Sequence, residues 1–420
     1  MAIELSNITF TEQDDIVPAS GVDEIVNKGV ANTFAGNDEI TGTGETLQNI
    51  LFYGLRTVGI YNKSNGTINT DNGDDEITGY GNIGIYNESN GTINTGNGRD
   101  KITGYASQTS SSRNNTIGFL NDGTINTGSG DDTISGYATG DFPGGVVNFG
   151  SINAGNGDDT IIGDGLSGGV NNAAGGTINT GNGDDSIIGT SSQDWGVYNG
   201  GFDESGFPTI NTGNGDDSII GTTSGSSAAG IAVVYKGAIN TDNGNDSIIG
   251  TGPVSGIICT EDGIINTGDG NDILTGIGGI AIGSFSGSNS SEGTIKTGNG
   301  DDIITGIGGI FNDTLGTIDT GAGNDIVDAR DGGFSGFGTT LLGDGNDIVQ
   351  GFGSGSFDGG RGKDTLELTS GSYTIGRSGT TVSFTKDSII MNTSEFEQLM
   401  AGSAMYHFSR LNPGQIITVA

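Results

Sequence analysis

Single branched apolar residues, each between polar neighbours, recur along most of the chain. One set is the isoleucine of a Thr-Ile-Asn or Thr-Ile-Lys element, and a second set lies two residues after a recurring aspartate. Branched residues that alternate with polar ones favour short strands with one inward side chain over helices. The first set is Ile68, Ile93, Ile125, Ile178, Ile210 and Ile295, and the second is Ile77, Ile102, Ile134, Ile161, Ile187, Ile219 and Ile248.

A third apolar set precedes the Thr-Ile element. It reads Gly-Ile-Tyr-Asn at residues 59–62 and 84–87, with variants at 196–199 and 309–312. Three short strands per repeat predict a parallel β-helix, in which each coil adds about 4.8 Å along the axis. We expect Tyr61, Tyr86 and Tyr198 to pack inward; the alternative is that they form a glycan-binding face together with Trp195.

A glycine-rich loop recurs thirteen times between Gly36 and Asp364, most often as Thr-Gly-Asn-Gly-Asp-Asp. Its last aspartates lie 17 to 37 residues apart, a spacing typical of a solenoid that has one fixed corner and one variable side. Insertions near 105–120, 191–207 and 281–292 are where we expect specificity to reside. The last aspartates are Asp38, Asp75, Asp100, Asp132, Asp159, Asp185, Asp217, Asp246, Asp272, Asp302, Asp325, Asp347 and Asp364.

The composition indicates what these loops bind. The chain has 84 glycines and only 5 prolines, and its 14 basic against 51 acidic residues give a net charge of −37. That charge argues against nucleic acid or anionic lipid as a partner. Roughly a dozen divalent ions would neutralise about 24 charges, and calcium prefers the carboxylate and carbonyl oxygens that such loops present. The alternative is that the loops are only turns, but a turn does not require a carboxylate at the same offset in every copy.

The last loop, Gly359-Gly360-Arg361-Gly362-Lys363-Asp364-Thr365-Leu366-Glu367, matches every defined position of the nonapeptide Gly-Gly-x-Gly-x-Asp-x-apolar-x. The chain here resembles the hemolysin-type (RTX) calcium-binding repeat proteins of bacteria, and the resemblance covers about 330 of the 420 residues. It implies that Ca²⁺ lies between loops of successive coils and is held by backbone carbonyls and by the last aspartates from Asp75 to Asp364. We expect Asp38 to form only a half-site, because no earlier loop precedes it.

The loops also depart from that family pattern. Each coil keeps one loop where the family has two, so we expect a single column of ions. Asp71 and Asp242 replace the second glycine of their loops, which puts ideal loop geometry in doubt there. Arg99 places a cation beside Asp100, and we expect that site to be weaker.

Pattern and resemblance together predict an all-β fold: a right-handed parallel β-helix or β-roll solenoid of about 13 coils with one column of calcium-binding loops and a small C-terminal unit. The predicted domains are an N-terminal cap (1–30), the repeat solenoid (31–367), and a C-terminal cap that includes a secretion signal (368–420). In the last segment we expect strands at 373–375, 381–384 and 388–391 and a short helix from Ser394 to Met400.

Location follows from what the sequence lacks and from the resemblance. The segment Met1–Leu5 has no features of a cleaved signal, and no stretch approaches about 18 consecutive apolar residues, so the chain is not expected to span a membrane. Cys259, the only cysteine, is expected to be a buried thiol. The resemblance implies export by type I secretion machinery, directed by Phe396–Ala420. We therefore expect a secreted, extracellular or cell-surface protein that folds on binding calcium outside the cell.

The function that follows is a noncatalytic structural, cell-surface, matrix or adhesion role, with cell-surface glycans or further copies of the chain as partners. His407 is the only histidine, so triads and histidine zinc sites lack partners within the repeats. One alternative is a calcium-dependent β-helix enzyme acting on acidic polysaccharides, a lyase, epimerase or hydrolase, although the basic residues Arg56, Lys63, Arg113 and Lys236 are scattered. A membrane-active toxin is the third alternative, but this chain lacks the long apolar segment that such proteins need.

Overall fold

The computed structural model describes residues 2–18, 23–44, 47–50, 54–107, 116–140, 144–201, 206–283 and 292–420. The chain divides into two compact units, Met1–Ala228 and Ala229–Ala420. The described residues contain strands, two short 3-10 helices (Leu5–Asn7 and Phe408–Arg410) and no α-helix. None of these helices is long and apolar enough to cross a membrane.

Each coil of both units follows one route. After the loop aspartate the chain enters a strand of sheet 1, then one of sheet 2, then one of sheet 3, and returns through the next loop. Equivalent residues of successive coils pair in parallel and in register, as Ile102 pairs with Ile134 in sheet 1 and Ile93 with Ile125 in sheet 3. The predicted parallel β-helix with three strands per coil is confirmed.

In the first unit, three parallel sheets run through the coils. The strands of sheet 1 are Ile16–Val17, Glu39–Thr43, Glu76–Gly81, Lys101–Ala106, Thr133–Ala138, Thr160–Gly165, Ser186–Ser191 and Ser218–Thr223. The strands of sheet 2 are Ile3–Glu4, Ile25–Asn27, Gly54–Asn62, Ile83–Asn87, Ile117–Asn121, Gly144–Asn148, Val170–Ala173 and Val197–Gly200, and Leu47–Ile50 pairs antiparallel with Gly54–Asn62. The strands of sheet 3 are Val30–Asn32, Thr67–Asn69, Thr92–Asn97, Thr124–Ser129, Ser151–Asn156, Thr177–Asn182 and Thr209–Asn214.

The second unit repeats the plan. Sheet 1 contains Ser247–Thr251, Ile273–Ile277, Ile303–Ile307, Ile326–Asp328, Ile348–Gln350, Thr365–Leu368 and Gln398–Ala401, and the last strand pairs antiparallel with Ala404–His407. Sheet 2 contains Ala229–Val234, Ser255–Thr260, Ile280–Gly283, Ile310–Asn312 and Phe334–Gly336. Sheet 3 contains Ala238–Asn240, Gly263–Asn266, Gly293–Lys296, Gly316–Asp319, Thr339–Leu341 and Gly355–Asp358. Asp344–Gly345 and Arg361–Gly362 form a small pair in the loops.

The interior of each coil is built from the predicted isoleucines. All of those in sheets 1 and 3 are at most 1% exposed. Sheet 2 adds a ladder of buried asparagines in the first unit, in which each side-chain amide donates to the next one, at 2.8 Å from Asn62 to Asn87 and from Asn87 to Asn121. Since each amide also donates to backbone carbonyls, the buried row is satisfied by the protein except at its first member, where Asn27 Oδ1 has no partner.

The tyrosines of the Ile-Tyr-Asn elements are buried, as expected. Tyr61 and Tyr86 stack with ring centroids 5.2 Å apart, in an apolar cluster that includes Val58, Ile83 and Leu120. A different set of tyrosines faces outward on sheet 1. Tyr80, Tyr105 and Tyr137 stack in a row at 5.0 and 5.3 Å, and Tyr80 is 43% exposed.

The three strands expected after the last loop are present as Gly371–Ser378, Thr381–Lys386 and Ile389–Ser394, joined by the antiparallel strand Ile416–Val419. The predicted helix from Ser394 to Met400 is wrong. Glu395 has a φ of 56°, which a helix does not tolerate, and Leu399 instead pairs in parallel with Leu366 of the last coil. Edge pairing with that coil therefore overrides the local helical pattern.

Residues near the amino terminus join the sheets of the first unit. Ile16 pairs in parallel with Glu39 and Val17 with Ile40, while Ile3–Glu4 pairs with Ile25–Val26. The boundaries at residues 30 and 367 stay predictions. In the second unit, Cys259 is fully buried as expected, and burial raises the pKa of its thiol to about 12.

Candidate metal centre

The Gly/Asp loops connect sheet 3 of one coil to sheet 1 of the next. The last aspartate of each loop comes directly before the sheet 1 strand, and its carbonyl accepts the first backbone bond of that sheet: the Lys101 N–H donates to the Asp75 carbonyl oxygen at 2.8 Å. The aspartate side chain turns inward. All thirteen of these aspartates are at most 2% exposed. We call them the buried aspartate column, taken separately within each unit.

One oxygen of each carboxylate in the column links neighbouring coils. Asp100 Oδ1 accepts the Asp75 backbone N–H at 2.9 Å, and Asp185 Oδ1 accepts that of Asp159 at 2.8 Å. The second unit has the same arrangement, with 2.8 Å from Asp272 N to Asp302 Oδ1. These bonds fix every carboxylate in one orientation along the column.

The other oxygen, Oδ2, is buried and accepts no hydrogen bond. This is the case for Asp38, Asp75, Asp100, Asp132, Asp159, Asp185, Asp272, Asp302, Asp325, Asp347 and Asp364. A buried carboxylate oxygen without a partner costs free energy unless a proton or a cation satisfies it.

Burial raises the pKa of these carboxyls, and it outweighs the opposing effect of the accepted N–H groups and of nearby threonine hydroxyls. The pKa rises to about 7 for Asp75, about 8 for Asp159 and about 7 for Asp302. Neighbouring aspartates of the column raise it further. Among the described residues, no basic group lowers the pKa of Asp75, Asp159 or Asp302, so nothing there compensates the charged form.

The residue before each buried aspartate provides a comparison. Asp158 Oδ1 accepts the Asp184 N–H at 2.9 Å, and Asn271 Oδ1 accepts the Asp301 N–H at 2.7 Å, so this exposed position also links neighbouring coils through a side-chain oxygen. It holds aspartate, asparagine or a basic residue. Its residues are Asn37, Asp74, Arg99, Asp131, Asp158, Asp184, Asp216, Asn245, Asn271, Asp301, Asn324, Asn346 and Lys363.

Both positions thus accept a backbone N–H through a side-chain oxygen, but they differ in the residue types that occupy them. Asparagine is sufficient to accept a backbone N–H, and the exposed position uses it freely. The buried position is aspartate in every loop, although its Oδ1 does a task that asparagine can do. The second carboxylate oxygen, or its charge, is what distinguishes the buried position.

Loop glycines bring successive loops into close contact. A side chain at Gly98 would overlap the carbonyl group of Gly73, and one at Gly130 would overlap that of Gly98. Both residues also have a positive φ, 144° and 126°, which favours glycine. The carbonyl groups of each loop therefore pack directly against the glycines of the next loop.

The two loops with an aspartate in place of the second glycine keep this arrangement at a cost in backbone geometry. Asp71 and Asp242 adopt a φ of 65° and 63°, whereas Gly96 and Gly181 at the same position have 106° and 116°. In the first unit the strand Thr67–Asn69 is three residues shorter than the next one, Thr92–Asn97. The departure from ideal loop geometry that the sequence indicated is therefore present as a smaller positive φ and, in the first unit, as a shorter strand before the loop.

A cation at these loops would need backbone oxygens as well as carboxylates. Among the residues that the structure describes, no three side chains of His, Cys, Asp or Glu converge on one point. Carboxylate Oδ2 atoms together with loop carbonyls are an all-oxygen donor set, which suits a hard divalent cation such as calcium and not zinc. The unpartnered buried oxygens and the close glycine loops fit such an ion.

The expected half-site at Asp38 stays a prediction, but a segment without a Gly/Asp loop precedes Asp38 and contacts it. Asp38 Oδ1 accepts the Asp15 N–H at 2.8 Å, and the Asn37 N–H donates to Asp14 Oδ1 at 2.8 Å. Gln13–Asp15 therefore occupies the place of an earlier loop. The glycine pattern missed this segment because it contains no glycine, and the pair Asp14-Asp15 before Ile16 was the available signal.

Glu397 is a second residue that the repeat pattern missed. Its Oε2 accepts the Asp364 N–H at 2.8 Å, the same kind of bond that Asp364 Oδ1 makes with the Asp347 N–H at 2.9 Å. No sequence signal identified it, because it lies 33 residues after Asp364 and outside any loop.

The basic residues considered for catalysis lie in different surroundings. Arg56 is 9% exposed and Lys63 lies 4.7 Å from the ring centroid of Tyr61, both in the first unit. Lys236 belongs to the second unit, in a turn where its φ is 63°. Arg113 lies outside the described residues.

Comparison with known proteins adds little to this picture. No family model matches the chain, and no curated protein matches it. Among solved structures, the crystal structure of a hyperactive, Ca²⁺-dependent, β-helical antifreeze protein from an Antarctic bacterium matches 96% of this chain and 96% of its own, with 19% identity and a TM-score of 0.43. At that TM-score the similarity bears on neither the ligand nor the function of this chain.

Proposed function

We propose that this chain is a secreted, noncatalytic β-helical protein that binds calcium along its buried aspartate column and folds on binding it. The observation that carries the proposal is the contrast between the two loop positions. Both positions can link coils by a side-chain oxygen, but only the buried one is aspartate in every loop, and in eleven of the thirteen loops its Oδ2 has no partner among the described residues.

In this mechanism calcium supplies positive charge and coordination to oxygens that the protein leaves unsatisfied. The Oδ1 bonds hold the carboxylates in place, and the loop glycines let the carbonyl groups of successive loops pack closely, so that both kinds of oxygen would be available to an ion. Since this set of oxygens exists only when coils are stacked, binding free energy stabilises the folded state.

Secretion fits the same chemistry. Resting cytosolic calcium is low, so a chain with a net charge of −37 would stay unfolded until it meets higher calcium outside the cell. The resemblance of the loops to hemolysin-type repeats supports type I secretion machinery as the route.

A structural, matrix or adhesion role is supported by one uncharged face of the first unit. From Thr67 onwards the outward residues of sheet 3 there are mainly threonine or serine and asparagine, as at Thr124 and Asn126, and the first strand adds the exposed side chain of Val30; none of them carries a charge. The second unit has Lys296 and Asp319 at such positions. We infer that the uncharged face contacts neutral, hydroxyl-rich glycans of a cell surface.

An enzyme acting on acidic polysaccharides is the second candidate. It would need a local cluster of basic and acidic groups that serve as substrate clamp, base and acid. The paired carboxylates of the loops recur in every coil and serve the stacking of the coils, so they do not mark one catalytic position. No observation favours this candidate over the noncatalytic role.

The proposal predicts a sharp difference between two neighbouring substitutions. Asp185→Asn keeps an oxygen for the Asp159 N–H but replaces the unpartnered Oδ2 by an NH₂ group, so we expect the chain to lose roughly one or two bound calcium ions. Asp184→Asn, at the exposed position, should leave the number of bound ions unchanged. Isothermal titration calorimetry of the calcium-free protein measures both.

Far-ultraviolet circular dichroism in saturating calcium is the control for folding of each variant. Equal calcium stoichiometry for Asp185→Asn and the unaltered chain would contradict the proposal. Equal losses in the two variants would also contradict it, because the exposed and buried positions would then contribute alike.

A further inference from the structure

The last Gly/Asp loop, Gly359–Asp364, has no further loop after it. A bend between the strands Ile389–Ser394 and Gln398–Ala401 lies against it instead. The Gly359 N–H donates to the Ser394 carbonyl at 2.9 Å, and the Gln398 N–H donates to the Asp364 carbonyl at 2.9 Å. We call residues 394–398 the closing bend.

The closing bend reproduces the contacts between successive loops. Glu397 Oε2 accepts the Asp364 N–H, which is the bond that an aspartate of the column would make. The carbonyl of Glu395 lies so close to Gly359 that a side chain on that glycine would overlap it, as loop carbonyls do elsewhere. The longer glutamate side chain compensates for a backbone that is not a Gly/Asp loop.

At this end a buried carboxylate oxygen has no partner among the described residues, and the exposed side chain of Glu397 contacts the same residue. Asp364 is fully buried and its Oδ2 accepts no hydrogen bond, and the structure gives Glu397 one accepted bond, at Oε2. The amino-terminal end differs. The outermost carboxylate there, that of Asp15, accepts the Thr11 N–H at 2.8 Å and the Thr11 hydroxyl, so it is satisfied by its own segment, although Asp38 Oδ2 next to it has no partner.

We propose that Asp364, Glu397 and the carbonyl oxygens of the last loop form a terminal calcium site, which couples calcium to the docking of the C-terminal strands. The inference rests on the proposed calcium binding of the loops. Its ligands come from two segments, the last loop and the closing bend, so the ion stabilises their contact. The C-terminal strands then order fully only when calcium is present.

The test compares two glutamates of the closing bend in the full-length chain. Glu397→Gln keeps an acceptor for the Asp364 N–H but removes the charge, whereas Glu395→Gln changes a side chain whose backbone carbonyl alone faces the loop. For Glu397→Gln we expect one calcium ion fewer, or one site weakened roughly tenfold or more, by isothermal titration calorimetry. For Glu395→Gln we expect no change.

Hydrogen exchange of residues 389–401 gives a second readout. Calcium should protect these amides in the unaltered chain and in Glu395→Gln, and much less in Glu397→Gln. The calcium still bound by the other loops shows whether Glu397→Gln is folded. Unchanged stoichiometry and protection in Glu397→Gln would overturn the terminal site alone. If the unaltered chain binds no calcium at all, both the terminal site and the proposed function fail.

Discussion

Asp184 and Asp185 are adjacent residues with the same side chain and different tasks. Asp184 is exposed and its role as an acceptor is shared by asparagine in other coils, whereas Asp185 is 1% exposed and has an unpartnered oxygen. The pair shows why a column of acids need not be a mere consequence of turn formation. An asparagine at position 185 could accept the same backbone N–H. The aspartate there therefore indicates a role for the second carboxylate oxygen or for its charge.

The same residues predict an inverted pH dependence for the calcium-free protein. Burial raises the pKa of Asp75 to about 7, of Asp159 to about 8 and of Asp347 to about 7, above the value of 3.8 in the unfolded chain. A carboxyl whose pKa is raised on folding contributes stability below the unfolded value and loses it as pH rises through the folded value. Without calcium, the fold should therefore be most stable near pH 4 and weaken towards pH 8.

Urea denaturation of the chelated protein at several pH values measures this dependence, and calcium should reverse it, because ions bind the charged carboxylates. Proton release on calcium binding near pH 7, seen as a buffer-dependent heat in calorimetry, is the matching observation. Stability of the calcium-free chain that increases steadily from pH 4 to pH 8 would contradict the burial of unpaired carboxyls.

At the level of single residues the sequence predicted the repeating parts well. Period-two alternation was sufficient to place Ile178 and Ile187 inside, and the offset within the loop was sufficient to single out Asp185. Asp15 and Glu397 were not predicted as partners of the column, because their contacts bridge 23 and 33 residues and involve no glycine pattern. Such stacking depends on backbone placement that local sequence does not encode.

At the level of elements, the sheets differ in what they present outward. Sheet 1 of the first unit exposes charges such as Glu76 and Lys101 and the row of stacked tyrosines, whereas sheet 3 exposes uncharged hydroxyls and amides and, in its first strand, the side chain of Val30. The Asn94 amide donates to Asn69 at 2.7 Å and the Asn126 amide to Asn94 at 2.7 Å, which fixes these side chains in one orientation.

This face yields a prediction about adhesion. Thr177→Lys places a charge in the uncharged face, and we expect retention on insoluble neutral polysaccharide to fall several-fold, because a glycan of hydroxyl groups offers no charge to offset a desolvated ammonium. Ser186→Lys places the same charge on sheet 1, a few residues later, and serves as the matched control. Cosedimentation in saturating calcium measures both.

If both lysine variants bind as well as the unaltered chain, sheet 3 is not the adhesive face. Equal losses in the two variants would assign the effect to general charge and not to this surface.

Element boundaries show where prediction from sequence fails. The strands of the repeats were predictable because each inward residue recurs at every coil. Ser394 to Met400 occurs once, and its apolar spacing is compatible with a helix, but pairing of Leu399 with Leu366 places it in a sheet. A segment whose structure is decided by a distant edge gives no local signal.

At the level of the molecule, charge and burial oppose each other in the absence of metal. The chain carries a net charge of −37 and buries an aspartate in each of its thirteen loops. Hydrophobic burial of one or two branched residues per strand is opposed by desolvation of these carboxylates and by repulsion along each column. Divalent ions remove both penalties at once, so calcium should act on stability more strongly than any single side chain.

The measurement that tests the central claim most directly is far-ultraviolet circular dichroism of the chelated full-length chain during titration with calcium, with magnesium as the control. The account predicts a cooperative gain of β-structure with calcium near pH 7.5 and little response to magnesium, which retains its water and demands a tighter geometry. A fully β-structured chain that is indifferent to chelation and to calcium would contradict it, and the loops would then be turns.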